Sequence, residues 1–351
     1  KFAKISAMKN IHFIGIGGIG ISALAKYYLK KGETISGSDL QASEITRALQ
    51  KEGTRIFIGN KTKNISRDIK LVIYTSAIPK DNPELVESRK LKVESRTYPQ
   101  ALGDLTKKYF TIAVSGTHGK STTTAMISLI LTKAALDPTV IIGTKLKEFG
   151  DSNCRVGKPI RQAQGKIQYL IIEADEYQSA FLNYWPKIIV LTSIEREHLD
   201  YFKNLKNILK TYREYILHLQ KDGILVANRD DKNIPYLTSH ISKPRFKIQN
   251  YSLKQRKDVK KLKKILKIPG RHNVQNALAA LSVARLLKIP DKITFKALSN
   301  YRGVWRRFEI FKARIEPNRL NPKAYTLISD YGHHPTEIKA TLEGAREKFR
   351  N

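Results

Sequence analysis

The residues best suited to chemistry are a lysine and a hydroxyl set behind two glycines. In VSGTHGKSTTTAM, residues 114–126, Gly116 and Gly119 precede Lys120 and Ser121. Glycines let backbone amides close on a phosphate. A lysine supplies a point charge for its outer oxygens, and the hydroxyl that follows can hold a magnesium ion. The widespread phosphate-loop spacing needs a glycine five residues before Gly119. Val114 stands there instead, so this loop is a shortened one. Glu173 and Asp175, in IIEADE, end an apolar strand, where carboxylates serve as oxygen ligands facing such a loop; the plainer reading is a solvated strand end. His198, in EREHLD, follows the strand KIIVLTSI in the same way. By itself it reads as structural, and beside Glu173 it becomes a candidate second metal ligand.

A second glycine motif lies near the start. Gly15, Gly17, Gly18 and Gly20 follow G-x-G-x-x-G between a strand and a helix, a turn that brings a helix N-terminus to a diphosphate. Asp39, closing the next strand, could accept from a ribose hydroxyl. Alone, the motif reads as NAD binding, as any nucleotide diphosphate site, or as a tight turn with no ligand. His272 and Asn276 are four residues apart at a helix start and share one face. Asparagine can read an adenine edge with a donor and an acceptor, although a helix cap with a polar face has the same pattern. Arg306, Arg307 and Asp330 can clamp a nucleotide or simply pair with one another.

The elements that must position these groups are strands alternating with helices, which predicts a doubly wound α/β fold with parallel sheets. HFIGIG, ETISGSDL, TRIFIG and KLVIYTSAI read as strands of a first unit, residues 1–107. KYFTIAVSG opens a second unit, residues 108–302, in which PTVIIG, IQYLIIEADE, KIIVLTSI and GILVAN are further strands. LKNILKTYREYILHL and RHNVQNALAALSVARLLKI are its helices. A third unit, residues 303–351, begins with two strands, RRFEIFKARI and AYTLISDYGHH, and a helix from Pro335 to Phe349. Met8, just before the first strand, is read as a natural start.

The chain has 351 residues, 41% of them hydrophobic, enough for two or three cores. Its longest apolar runs are strand-length, well short of a membrane span. One cysteine, Cys154, allows no internal disulfide, which suits a reducing cytoplasm. The net charge of +33 raises the question of nucleic acid. The lysines are spread along the chain and no nucleic-acid motif accompanies them, so a basic bias with mild steering of anionic substrates is expected. The densest cluster, residues 254–267, is read as a solvated helical face.

Together these stretches resemble the Mur ligase family. The matching residues are HFIGIGGIG, SGSDL, TSAI, AVSGTHGKSTTT, IIEADE, EREHLD, GRHNVQNALAA, RRFE and DYGHHPTE, in that order from His12 to Glu337. The resemblance implies an N-terminal Rossmann-like sheet for a UDP-sugar, a central P-loop-type ATP-binding α/β domain, and the start of a third, Rossmann-like domain. It implies ATP-dependent amide-bond formation in peptidoglycan precursor synthesis through an acyl phosphate. It is nearest to the members that join L-alanine to UDP-N-acetylmuramate. Members that join a whole peptide to the same sugar are the alternative, and the short, insertion-free spacing from EADE to His198 favours the first. By this likeness Gly116, Thr117, His118, Gly119, Lys120, Ser121, Thr122, His272, Asn276, Arg306, Arg307 and Asp330 contact ATP. Ser121, Glu173 and His198 hold magnesium, and Lys120, Glu173 and His198 are catalytic. Gly15, Gly17, Gly18, Gly20, Ser38, Asp39 and Ser76 hold the UDP-sugar. Tyr212 and Arg213 stand where some members carry a modified lysine, and EADEY replaces the more familiar EADES. A cytoplasmic monomer or homodimer is expected, with no specific nucleic acid and no membrane insertion. The third unit holds only the beginning of the family's third domain, so ligation by these residues alone is expected to be lost or severely weakened.

Overall fold

The central strands lie where apolar runs predict them, whereas Glu94–Thr97, Ser152–Arg155, Ile160–Gln162, Gly165–Ile167 and Lys247–Tyr251 carry no such run and were not expected. In the computed structural model, residues 9–162, 165–242, 244–315 and 323–349 are described; the expected start at Met8 lies outside them. The first sheet runs Arg55–Ile58, Thr34–Asp39, Asn10–Ile14, Ile69–Tyr74, Glu94–Thr97, with every neighbouring pair parallel. Ile11 to Ile14 are all buried, as expected of a parallel strand covered on both faces. Gly15, at φ 77°, makes the sharp exit into the helix Ile19–Lys30. Gly32, at φ 91°, lies just past that helix.

The second sheet has seven strands in the order Lys247–Tyr251, Ile224–Asn228, Ile188–Leu191, Phe110–Ser115, Tyr169–Glu173, Thr139–Leu146, Ser152–Arg155. Only the last pair is antiparallel. Side chains alternate across this sheet. Ile112, Val114, Ile171 and Val190 pack under the helices Lys120–Lys133, Arg271–Leu286 and Asp291–Asn300. Ala113, Leu170, Ile172 and Ile189 join the opposite cluster, which is continuous with the core of the first sheet. Phe110–Ser115 lies between Ile188–Leu191 and Tyr169–Glu173. Chain order therefore reverses around it, and loops leaving three carboxyl ends converge at the usual ligand crevice of such sheets.

Beyond residue 303, Glu309–Ile315 and Lys323–Ser329 pair antiparallel, an arrangement the alternation of elements does not reveal. The helix Pro335–Lys348 follows, its N-terminus capped by the His334 side chain accepting from the Thr336 amide. The basic stretch forms the helix Arg256–Ile265, in which only Leu262 is buried, a solvated face as expected.

The first sheet also buries a polar network. The Glu84 carboxylate accepts from Ser38 Oγ and Asn64 Nδ2 and lies 3.8 Å from His12 Nε2, with neither His12 nor Glu84 exposed. Burial alone would raise the Glu84 pKa. The neighbouring His12 imidazole and the hydrogen bonds from Ser38 and Asn64 outweigh it and hold the group below the ordinary 4.5. A depressed carboxylate contributes stability above its unfolded pKa and loses it as pH falls through the folded one. Urea denaturation of Glu84→Ala should show a loss of about 3 kcal/mol at neutral pH. Glu84→Gln should remove this group's share of the decline in stability below about pH 4.5. An acid limb unchanged in Glu84→Gln would refute the assignment.

Candidate functional site

The shortened loop is positioned by its own strand and by the strand beside it. Ser115 ends a buried strand, and the chain turns through Gly116 at φ 133° and Gly119 at φ 82°. A methyl group at Gly116 would strike Thr192 and the Ser193 backbone; one at Gly119 would strike the Asn276 amide. Both glycines are therefore required twice, by conformation and by space. The loop is tied to residues 192–195. The Thr117 amide donates to Ser193 O at 2.8 Å, the His118 amide to Ser193 Oγ at 3.0 Å, and the Glu195 amide to Thr117 Oγ1 at 2.8 Å. The helix Lys120–Lys133 starts here, and its first amides have no intrahelical acceptor. A shortened loop ending in a helix N-terminus is still an anion cradle.

Lys120 folds back across the loop. Its Nζ donates to Gly116 O at 2.7 Å and to both Glu176 carboxylate oxygens, at 3.1 and 3.0 Å. Burial would lower the lysine pKa, but the charges of Glu176 and Asp175 outweigh it, so the ammonium is held firmly protonated.

Around this lysine opens a cleft of about 530 Å³. Its walls include residues 117–122, Asp175, His198, His272, Asn276, Arg307 and Asp330. Loops at the carboxyl ends of the central strands thus face the third segment, which is anchored by Thr144 Oγ1 donating to Trp305 O and the Trp305 amide donating to Lys145 O. Burial holds the His272 pKa below 6.5, so the imidazole is neutral at pH 7. Asp330 accepts from the Phe308 and Gly332 amides, at 2.8 and 2.7 Å, which fixes it at the cleft edge.

Two sets of ligand-type side chains that could hold a cation flank Lys120. Glu173 accepts from the Gly143 amide at 2.9 Å, while its Oε1 is buried with no hydrogen-bond partner. Burial holds its pKa above 4.5, against the Ser121 hydroxyl, the Gly143 amide and Lys120. An orphaned carboxylate oxygen beside a hydroxyl fits a hard, oxygen-seeking ion. Separately, Asp175, Glu176 and His198 bring ligand atoms within 4.8 Å of one another. Ser121 and Glu173 thus form one set, and His198 belongs to another.

Some predicted residues sit differently from the simplest expectation. Arg306 is not part of the cleft lining; its guanidinium lies over the Trp305 and Tyr331 rings, 5.4 and 5.2 Å from their centroids. Glu173 is likewise absent from the lining. In the first sheet, Ser38 is buried with its hydroxyl donated to Glu84, and Asp39 Oδ2 accepts from the Gly17 amide at 2.8 Å. The Gly15 and Ile16 amides donate to Ser38 O and the Gly18 amide to Gly15 O. The glycine turn is braced from within, so the amides left without an acceptor are those that start the following helix, and Ser76 is exposed.

Residue types alone missed several participants. Glu176, Glu195, Glu197 and Glu337 stand inside EADE, EREHLD and HPTE, yet nothing in those motifs says which carboxylate faces Lys120 or His118. Tyr177, the departure in EADEY, places its ring 4.7 Å from that of His198 and its hydroxyl 3.2 Å from Asp200. Tyr212 is buried edge-on against Phe181, which accounts for an apolar body at that position.

Comparison with known proteins agrees with this architecture. Residues 114–284 match the Mur ligase middle domain, and residues 10–110 match the segment described as the Mur ligase family catalytic domain. The UDP-N-acetylmuramate--L-alanine ligase of Clostridium acetobutylicum is 38% identical over 98% of this chain and 75% of its own length. That of Acetivibrio thermocellus is 39% identical over 96% of this chain and 73% of its own. The crystal structure of UDP-N-acetylmuramate-alanine ligase MurC from Thermotoga maritima aligns with a TM-score of 0.79 at 30% identity, covering 98% of this chain and 79% of that one. The shortened phosphate loop, the carboxylates that face it and the two sheets that carry the ligand crevices are thus those of a Mur ligase, and the chain belongs to that family.

Proposed function

We propose that this protein is an ATP-dependent ligase that joins L-alanine to the carboxylate of UDP-N-acetylmuramate in peptidoglycan precursor synthesis, working in the cytoplasm. The observation that carries this reading is the cleft around Lys120, in a chain 38% identical over nearly its whole length to ligases of that name. In this reading residues 1–107 hold the UDP-sugar, residues 108–302 hold ATP, and residues 303–351 close over the nucleotide.

A free carboxylate does not acylate an amine because oxide is too poor a leaving group. Transfer of the terminal phosphoryl group of ATP to the sugar carboxylate releases ADP and leaves an acyl phosphate. Attack by the alanine amine then expels phosphate. Lys120 leaves Glu176 and the loop carbonyls for the outer phosphate oxygens, where its charge meets the charge that develops in transfer. The amides at the start of the helix Lys120–Lys133 hold the remaining oxygens. Asn276 and His272 face the nucleoside, and Arg307 with Asp330 approaches from the third segment. Magnesium, when bound, neutralises phosphate charge; Ser121 and Glu173 would hold one ion and His198 with Asp175 a second.

Titration calorimetry tests the reading. UDP-N-acetylmuramate and magnesium-ATP should each bind with a stoichiometry of one, and substitution in the cleft should weaken only the ATP titration. Binding of NAD with no binding of either ligand would replace the proposal with a dehydrogenase reading of the first glycine turn.

A further inference from the structure

Beside Lys120, outside the two arrangements assigned to magnesium, lies a third group of ligating atoms. His118 of the phosphate loop, Glu195 of the loop after Ile188–Leu191, and His334 of the third segment offer atoms within 4.8 Å of one another. We propose that these three residues bind a zinc-class transition-metal ion that pins the third segment to the phosphate loop.

The chemistry of the donors argues for this. His118 Nδ1 lies 3.2 Å from Glu337 Oε1. A carboxylate can only accept, so Nδ1 carries a proton toward Glu337, and Nε2 is the nitrogen that can ligate an ion, giving up any proton it holds. That Nε2 is buried without a hydrogen-bond partner and faces Glu195 Oε2 at 3.6 Å. A carboxylate that orients an imidazole so that its other nitrogen ligates is the recurrent outer shell of metal-bound histidine. Ligands about 2.1 Å from a tetrahedral ion lie about 3.4 Å apart. His118 to Glu195 at 3.6 Å and His334 Nδ1 to Glu195 at 3.9 Å already approach that spacing. The Glu195 oxygen is fixed by the Thr336 hydroxyl at 2.8 Å, and the His118 and His334 ring centroids are 4.8 Å apart. Ligation by His334 Nδ1 takes over the lone pair that now caps Thr336.

Two imidazoles and one carboxylate select zinc-like ions over magnesium, which prefers oxygen. Three protein ligands leave a fourth position for water or an anion from the cleft, which His118 and Glu195 both line. The three ligands come from three separate stretches of chain, so occupancy holds the third segment against the loop whether or not nucleotide is bound.

The test uses Zn²⁺ and Co²⁺ alone, on chelator-stripped protein without nucleotide. One Zn²⁺ should bind per chain in excess magnesium, and Co²⁺ should give the strong visible d–d absorption of a four-coordinate site. His334→Gln and Glu195→Gln should each lower zinc affinity by about 100-fold, and Glu337→Gln, which leaves all three ligands in place, by about 10-fold. His198→Ala should leave zinc affinity unchanged. Loss of zinc in His198→Ala, with retention in His334→Gln and Glu195→Gln, would move the ion to the Asp175–Glu176–His198 cluster and overturn the proposal. Displacement by magnesium, or a weak six-coordinate cobalt spectrum, would overturn it as well. Thermal melts of each variant show that the fold is kept, and the Glu337→Gln arm reads the site without removing a ligand.

Discussion

Lys120→Ala is expected to weaken magnesium-ATP binding by about 10- to 100-fold, the loss that follows removal of one hydrogen bond between charged groups. UDP-N-acetylmuramate should bind as before. The expectation rests on geometry: Nζ is the lysine cation folded across the loop, next to the unpaired amides that start the helix Lys120–Lys133. The substitution also strands Glu176, which is 2% exposed and pairs with Lys120 through both oxygens. An uncompensated buried carboxylate costs about 3 to 5 kcal/mol, enough to threaten folding. The double variant Lys120→Met, Glu176→Gln removes both charges together. It should recover most of the stability lost in Lys120→Ala, measured by urea denaturation, and recover none of the ATP affinity. Restored ATP binding in the double variant would show that the lysine serves only to neutralise Glu176.

Glu173→Gln carries the second large effect. Magnesium should tighten ATP binding to the unaltered protein by about 100-fold over binding in chelator, a few kcal/mol of charge stabilisation. In Glu173→Gln that ratio should fall to near one, with the magnesium-free affinity little changed. The reason is the orphaned Oε1. A buried carboxylate oxygen that no donor satisfies is expensive, and beside Ser121 a hard cation offsets that cost. An amide keeps the shape and loses the charge that holds the ion. A magnesium ratio that persists in Glu173→Gln and vanishes in His198→Ala would transfer the principal ion to the Asp175–Glu176–His198 cluster.

Much of this arrangement was legible in the sequence because strand ends announce themselves. IIEADE, KIIVLTSI and AVSGTHGKST each pass from an apolar run to polar residues at one boundary, and in parallel strands those boundaries share one edge. That is why Lys120, Asp175 and His198 meet. The antiparallel pairing of Glu309–Ile315 with Lys323–Ser329 was not legible, because a run of alternating residues carries no sign of strand direction. Pairing among charges was hidden too. Lys120 with Glu176, and His118 with Glu337 across 219 positions, depend on which side chains the folded loops turn toward each other. The inward turn of Ser38 follows from period two along Thr34–Asp39: its neighbours Gly37 and Asp39 face the turn, and Ser38 meets Glu84. Asp39, read from the sequence as a ribose acceptor, also braces the glycine turn by accepting from the Gly17 amide. A short carboxylate at a strand end serves either partner, and spacing alone does not choose between them.

The most direct test is a crystal structure of the protein with magnesium and a non-hydrolysable ATP analogue. The terminal phosphate should lie within hydrogen-bond reach of Lys120 Nζ and the first amides of Lys120–Lys133, with an ion between it, Ser121 and Glu173. An analogue seated at the Gly15–Gly20 turn, with Lys120 still bound to Glu176, would contradict the account.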